Sequence, residues 1–264
     1  MKRVFAVLLL LTATPTLAWG QNGHRITGAI ADKHLSPKAR AGVTEILGTE
    51  TLAEASVWPD FMRSAPDSFW QKDSVPFHYV TIPVGGTAYS GAPPQGDAAT
   101  ALAKYSAVLR DPRASLSDRQ TALRFVIHIV GDLSQPLHVG REGDRGGNDV
   151  KVSFFGDPTN LHTLWDTLLV ENQNLSFSEW TPWLLAAATP QQMREWSSPD
   201  PMQWIADSIV VRETIYPANP ELGYSYVFQQ NDNLRRQLTK GGFRLASYLN
   251  ALFDAPVPAP GKQK

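Results

Sequence analysis

Arg124-Phe-Val-Ile-His128-Ile-Val-Gly-Asp132-Leu-Ser-Gln-Pro136-Leu-His138 decides how the chain is read. Leu123, Val126, Ile127 and Val130 recur at helical spacing, so the first half is a helix with a buried apolar face. His128 and Asp132 sit four apart and project from one face about one turn apart. Pro136 disfavours helical backbone in the residue before it and so ends the helix. His138 follows just past the break. Two imidazoles and a carboxylate at this spacing suit a zinc ion, which takes nitrogen and oxygen ligands readily. They equally suit a satisfied core histidine and an ordinary helix-end aspartate. The rest of the chain decides between the two.

Downstream, Asn160-Leu-His162-Thr-Leu-Trp165-Asp166 opens another helix and repeats the four-residue His/Asp spacing, with Leu161, Leu164 and Trp165 on the face to be buried. Upstream, His78 lies between Phe77 and Tyr79 in the β-branched and aromatic run 75–82, read as a short strand or extended segment. Tyr79 is an aromatic that could stack on a base. Trp58-Pro-Asp60 places a carboxylate three residues before Arg63, a pairing that also reads as a plain surface ion pair. His24 follows Trp19-Gly20-Gln-Asn-Gly23. If Trp19 is the first mature residue, its α-amine and carbonyl can chelate a metal through a five-membered ring, and His24 can join them. His34 has no acidic or histidine partner at metal spacing and reads as structural or exposed.

Helices are expected over 24–35, 36–47, 51–64 and 97–109. A capping box at Ser117 to Gln120 is expected to open the central helix. The Gly-, Pro- and Ser-rich 84–96 reads as a loop, as does the glycine-rich 140–148 ending in Gly146-Gly147-Asn148. A second short strand is expected over 150–155. The last third holds helical patterns near 181–188, 190–196, 201–216 and 228–253, contains no histidine, and reads as the shell of a helical bundle.

A 264-residue chain that is 42% hydrophobic fits one sizeable domain, here 19–264. Met1-Lys2-Arg3, the apolar run from Val4 to Leu11, and Thr16-Leu17-Ala18 read as a secretory signal peptide over 1–18. The apolar run is too short to span a bilayer, so an exported protein without a membrane span is expected, periplasmic or secreted and monomeric. With 24 Lys and Arg against 25 Asp and Glu, the chain lacks the basic excess of a duplex-DNA binder. It has no cysteine, which excludes disulfides, thiolate ligands and a cysteine nucleophile. The Pro- and Lys-rich 255–264 is expected to fray.

Together the candidates are Trp19, His24, Asp60, His78, His128, Asp132, His138, His162 and Asp166. That is more than one tetrahedral zinc uses, and it matches three zincs with shared ligands and open positions. Three carboxylates against three divalent ions leave a positive centre, which favours a phosphate ester as substrate.

Taken in this order, with Trp58-Pro-Asp60-x-x-Arg63, Phe77-His78-Tyr79 and Gly146-Gly147-Asn148, these motifs resemble the zinc-dependent single-strand nuclease and 3′-nucleotidase family of mung bean nuclease and the fungal "S-one/P-one" enzymes. The resemblance spans essentially the whole mature chain. It implies a mainly α, single-domain helical bundle, of the type shared with zinc phospholipase C, with one or two short β segments and three zincs. Asp60, His78, His128 and Asp132 would hold one zinc. The Trp19 amine and carbonyl, His24 and a bridging Asp132 would hold the second, and His138, His162 and Asp166 a more open third. The implied reaction is hydrolysis of P–O3′ bonds in RNA and single-stranded DNA to 5′-phosphates, with removal of 3′-phosphates from nucleotides. Asp60 would orient the attacking water, Arg63 and Asn148 would meet the phosphoryl charge, and Tyr79 would stack on the base. Thr81 departs from the family, whose members often carry an acidic residue three positions after the histidine matching His78, and this bears on base recognition. A zinc phospholipase C is the alternative, but its last carboxylate is typically Glu, whereas this chain has Asp166.

Overall fold

A computed structural model describes residues 19–255, and the segment read as a signal peptide and all but the first residue of the tail lie outside them. The expected helices dominate. α1 spans Gln21–Lys33, α2 Pro37–Leu47, α3 Leu52–Ala55 and α4 Trp58–Met62. α5 spans Ala98–Arg110 and α6 Leu116–Asp132. α7 (Leu161–Thr163), a π-helical turn over Leu164–Leu168 and α8 (Leu169–Glu171) run on from one another. α9 (Phe177–Ala187), α10 (Pro190–Trp196), α11 (Pro201–Arg212) and the long α12 (Tyr224–Asp254) complete the bundle. The fold is mainly α, as the sequence implies.

Five short strands are described, more than the one or two expected. β1 (Val80–Ile82) pairs in parallel with β2 (Val139–Arg141), Val80 opposite Val139. β3 (Lys151–Phe154) lies between β4 (Asp157–Asn160) and β5 (Glu221–Leu222). β4 hides in the sequence because Asp-Pro-Thr-Asn has poor strand propensity. A two-residue turn, Phe155-Gly156, with φ of 51° and 93°, folds it back onto β3.

Three local expectations change. The helix expected over 51–64 is two helices, because Pro59 has no N–H for the carbonyl four residues back. Val75–His78 is a 3₁₀ turn with Pro76 in its first turn, and the strand begins only at Val80. The central helix is capped by Ser115, not Ser117. Ser115 Oγ accepts the Asp118 N–H at 3.1 Å and donates to its carboxylate at 2.7 Å. An acidic side chain in the first turn also suits the positive end of the helix.

Two apolar clusters fill the interior. In one, Phe125 on α6 is ringed by Trp58, Phe69, Trp70, Phe77 and Tyr105. The other gathers Trp19, Ile26, Leu137, Leu161, Trp165 and Trp180. The paired His and Asp residues lie where α6, from the first, meets α1 and α7, from the second.

Candidate metal centre

The elements bring all eight predicted His and Asp side chains into one buried region, each 9% exposed or less. α6 presents His128 and Asp132, α1 His24, α4 Asp60. The 3₁₀ turns before β1 and β2 present His78 and His138, and the α7 run presents His162 and Asp166. Asp132 is the hub. Its Oδ2 lies 3.1 Å from His128 Nε2 and 3.2 Å from His78 Nδ1. Its Oδ1 lies 3.4 Å from His24 Nε2 and 3.5 Å from His138 Nδ1. The two oxygens thus face different sets of imidazoles. A second focus has Asp166 Oδ2 3.0 Å from His162 Nε2, and Oδ1 3.6 Å from His138 Nε2.

Close approach needs small neighbours. Gly131 precedes Asp132 on α6, and a Cβ there would come 2.9 Å from His24 Nδ1. The β1–β2 pairing brings together the turns that carry His78 and His138. Backbone carbonyls then fix the rings. Ser56 O lies 2.6 Å from His128 Nδ1, His78 O 2.6 Å from His138 Nδ1, and Gly146 O 2.7 Å from His162 Nδ1. Each carbonyl accepts the Nδ1 proton and leaves the Nε2 lone pair facing inward, the arrangement metal-ligating histidines use. The break between α3 and α4 has a role here. A continuous helix would have spent the Ser56 carbonyl on the amide four residues on.

Many buried atoms of these side chains have no hydrogen-bond partner: both nitrogens of His24, Asp60 Oδ1, His78 Nε2, both oxygens of Asp132, His138 Nε2 and Asp166 Oδ2. Buried carboxylate oxygens left so are costly. Positive charge is what they lack. Burial pushes Asp132 up, but His128 and His138 outweigh it and hold the carboxyl well below the usual range. Burial pushes His138 down, yet Asp132 and Asp166 raise it to about 9. Burial likewise opposes His128, and Asp132 and Asp60 raise it. Burial lowers His24 and His78. The region therefore attracts cations, and protons and metal ions compete for the same nitrogens.

The donor spacing fits such an ion. Two atoms each about 2.0–2.1 Å from a tetrahedral zinc lie about 3.4 Å apart. The separations of the donor nitrogens of His24, His78, His128, His138 and His162 from the Asp132 and Asp166 oxygens run from 3.0 to 3.6 Å. Three groups have donor atoms all within 4.8 Å of one another: His24, Asp60 and His128; His78, His128 and Asp132; and His138, His162 and Asp166.

The other candidates fall around these groups. Trp19 is fully buried, and the next residue's N–H donates to the Asp166 carbonyl at 2.6 Å. Arg63 Nη1 sits 3.7 Å from Asp60 Oδ1 with its side chain only 16% exposed, so this is not an ordinary surface pair. Asn148 is 9% exposed, and one of its amide hydrogens goes to Arg145 O at 2.8 Å. Tyr79, just before β1, is 40% exposed, available to a ligand, and Thr81 within β1 is also exposed. His34 stays apart, its ring centroid 4.6 Å from that of Phe243.

Gln135 is among the residues that escaped the sequence reading. Gln135 is fully buried, and its Nε2 donates to Asp166 Oδ1 while its Oε1 accepts the Leu137 N–H. It links the turn carrying His138 to the carboxylate beside His162. The available signal was a polar Ser134-Gln135 pair inside an apolar stretch.

Among known proteins, the S1/P1 Nuclease family model matches residues 19–254. Endonuclease 4 of Arabidopsis thaliana is 27% identical, over 97% of this chain and 96% of its own. Nuclease P1 of Penicillium citrinum and Nuclease S1 of Aspergillus oryzae are each 26% identical, over 90% and 94% of this chain and 99% and 96% of theirs. Because the match runs from Trp19 to Asp254 and so takes in the hub at Asp132 and every side chain around it, the chain belongs to the S1/P1 nuclease family.

Proposed function

We propose that this protein is an exported, zinc-dependent endonuclease. It hydrolyses P–O3′ bonds of RNA and single-stranded DNA to 5′-phosphate products and removes 3′-phosphates from nucleotides. The observation that carries this reading is the double-faced Asp132, each oxygen close to two imidazoles and bonded to none. Asp60, His78, His128 and Asp132 hold one zinc. The Trp19 amine and carbonyl, His24 and Asp132 hold a second, and His138, His162 and Asp166 a third. Bound zinc supplies Lewis-acid charge and acidifies water. Asp60, whose Oδ1 has no hydrogen-bond partner, orients the attacking water. Arg63, on the turn after Asp60, faces the charge that grows on the phosphoryl oxygens. Asn148 offers its second amide hydrogen to the same group. Tyr79 stacks on a base, and the neutral Thr81 leaves base choice loose.

Export fits residues 1–18 read as a signal peptide, and no described helix is long and apolar enough to cross a membrane. The mature chain from 19 onward then acts as one catalytic domain, a monomer.

Native-purified protein is expected to contain three zincs by elemental analysis and to cut RNA and single-stranded DNA. One zinc or none, or turnover of a choline phospholipid with none of RNA, would overturn the reading. Because metal binds only the folded chain, chelation should also lower Tm. Sites filled at 100 times their Kd are worth about 2.7 kcal/mol each. An unchanged melt after verified zinc removal would count against the cluster.

Arg63→Ala should keep its zinc and lose kcat by roughly 10²–10³-fold, the usual worth of one preorganised electrostatic donor. Tyr79→Ala should chiefly raise KM, since base stacking is worth about 1–3 kcal/mol. Full kcat in the first variant would return Arg63 to a structural ion pair, and an unaltered KM in the second would remove Tyr79 from the base pocket.

A further inference from the structure

His162 and Asn148 depend on a loop whose backbone is unusual. Arg145, Gly146 and Gly147 have φ of 51°, 61° and 80°, three consecutive residues in the left-handed region. A side chain at Gly146 would strike Leu137 O at 2.5 Å. Glycine takes this region readily, but Arg145 does not, and a residue held there persists only where its surroundings over-determine it. Here the fold uses a link that starts outside the centre. Asp144 Oδ1 accepts the Gly147 N–H at 3.1 Å. Its other oxygen accepts a short hydrogen bond from the Tyr216 hydroxyl, which comes from the chain just past α11. The Arg141 guanidinium lies 4.0 Å over the Tyr216 ring and pairs with Glu213. Inward, Gly146 O accepts from His162 Nδ1 at 2.7 Å, and Arg145 O accepts from Asn148 Nδ2 at 2.8 Å.

We propose that Asp144 and Tyr216 are positioning residues: they hold the Gly146–Asn148 turn so that its carbonyls orient His162 and Asn148. The inference rests on the functional reading above. Its consequence is selective. The hydrogen bond to Gly146 O sets which His162 nitrogen carries the proton, and therefore whether Nε2 faces Asp166 with a lone pair. Loosening the turn should weaken the metal site of His138, His162 and Asp166 and spare the sites around Asp132.

The test compares native-purified variants. Asp144→Ala should release one zinc to a chelator roughly 10–100-fold faster than the parent, the usual cost of losing an outer-shell partner, and kcat should fall more than KM rises. Asp144→Asn keeps an acceptor for Gly147 and a partner for Tyr216, and should restore both. Tyr216→Phe keeps the ring under Arg141 and should shift both quantities the same way, by less. Asp149→Ala cuts only the exposed pair with Arg145 in the same loop and should change neither. The His162 Nδ1–H resonance should be protected from exchange in the parent and in Asp144→Asn, and not in Asp144→Ala. Equal zinc release from Asp144→Ala and the parent, or equal losses in Asp144→Ala and Asp149→Ala, would overturn the proposal. The parent's own zinc content and RNA turnover judge the functional reading, whereas differences between variants and the His162 resonance, which needs no turnover, judge this one.

Discussion

Asp132→Ala is expected to abolish turnover and to leave the protein with one zinc, whereas Asp166→Ala should leave two. The difference follows from where the oxygens face. Asp132 Oδ2 addresses His78 and His128, and Oδ1 addresses His24. One substitution therefore removes a donor from two metal sites. Asp166 serves the His138 and His162 side alone. The loss in kcat should exceed the roughly 10²–10³-fold that a single electrostatic donor supplies. Folding should suffer as well. Asp132 is fully buried, and it is what raises His128 and His138 against the burial that lowers them. Breaking a buried charge pair by removing one partner costs about 3–5 kcal/mol. Asp132→Asn separates the two effects, since it keeps the volume and loses the charge. Elemental analysis, Tm and kcat on RNA report all three quantities. An Asp132→Ala protein with three zincs and near-parental kcat would remove Asp132 from the centre.

The helical frame was readable because its signals are local. Ser36-Pro37 and Gly48 bracket α2 as expected, and the apolar period of α6 buries Leu123, Val126, Ile127 and Val130 completely. What the sequence hid depends on partners far along the chain. Nothing near Ser56 announces that its carbonyl is needed by His128, 72 residues on. The π turn at Leu164–Leu168 is similar. It widens the helix at Asp166, whose carbonyl accepts the N–H of Gly20.

The centre was legible for a related reason. A His and an Asp four apart on a helix face the same way whatever the fold, so two of the pairs could be read without knowing what they meet. His24, Asp60 and His78 carry no such local constraint, and only their residue types, and then the resemblance, joined them to the others. Gln135, Gly131, Asp144 and Tyr216 were missed because their work is to orient neighbours. Gln135 meets Asp166 across 31 residues, and Tyr216 meets Asp144 across 72. A spacing rule sees the residues that face the centre and passes over those that hold them there.

A chain beginning at Trp19 is expected to be fully active, and the same chain with a single extra residue before Trp19 nearly inactive. The reason is the proposed role of the Trp19 nitrogen. As a free amine it carries a lone pair; as an amide its lone pair is delocalised into the planar peptide group, and it is a very poor donor. The structure puts this nitrogen's residue in the right neighbourhood. Trp19 is fully buried, Gly20 N–H is bonded to the Asp166 carbonyl, and His24 on the first turn of α1 points Nε2 at Asp132. None of these contacts needs the amine to be free, so an extended chain should fold and keep its tryptophan buried. It should lack the ion shared by Trp19, His24 and Asp132, and with it most of kcat, a loss of roughly 10²-fold or more if one electrostatic donor sets the scale. The consequence reaches the cell that makes the protein. A precursor still carrying residues 1–18 would be a quiet nuclease, completed only when export removes them. Two otherwise identical proteins, one starting at Trp19 and one at a residue added before it, decide the matter by zinc content, circular dichroism and kcat on RNA. Equal zinc and equal rates would leave Trp19 as a buried aromatic whose nitrogen binds nothing. One fewer zinc with an unchanged fold would make signal cleavage the last step in building the catalytic centre.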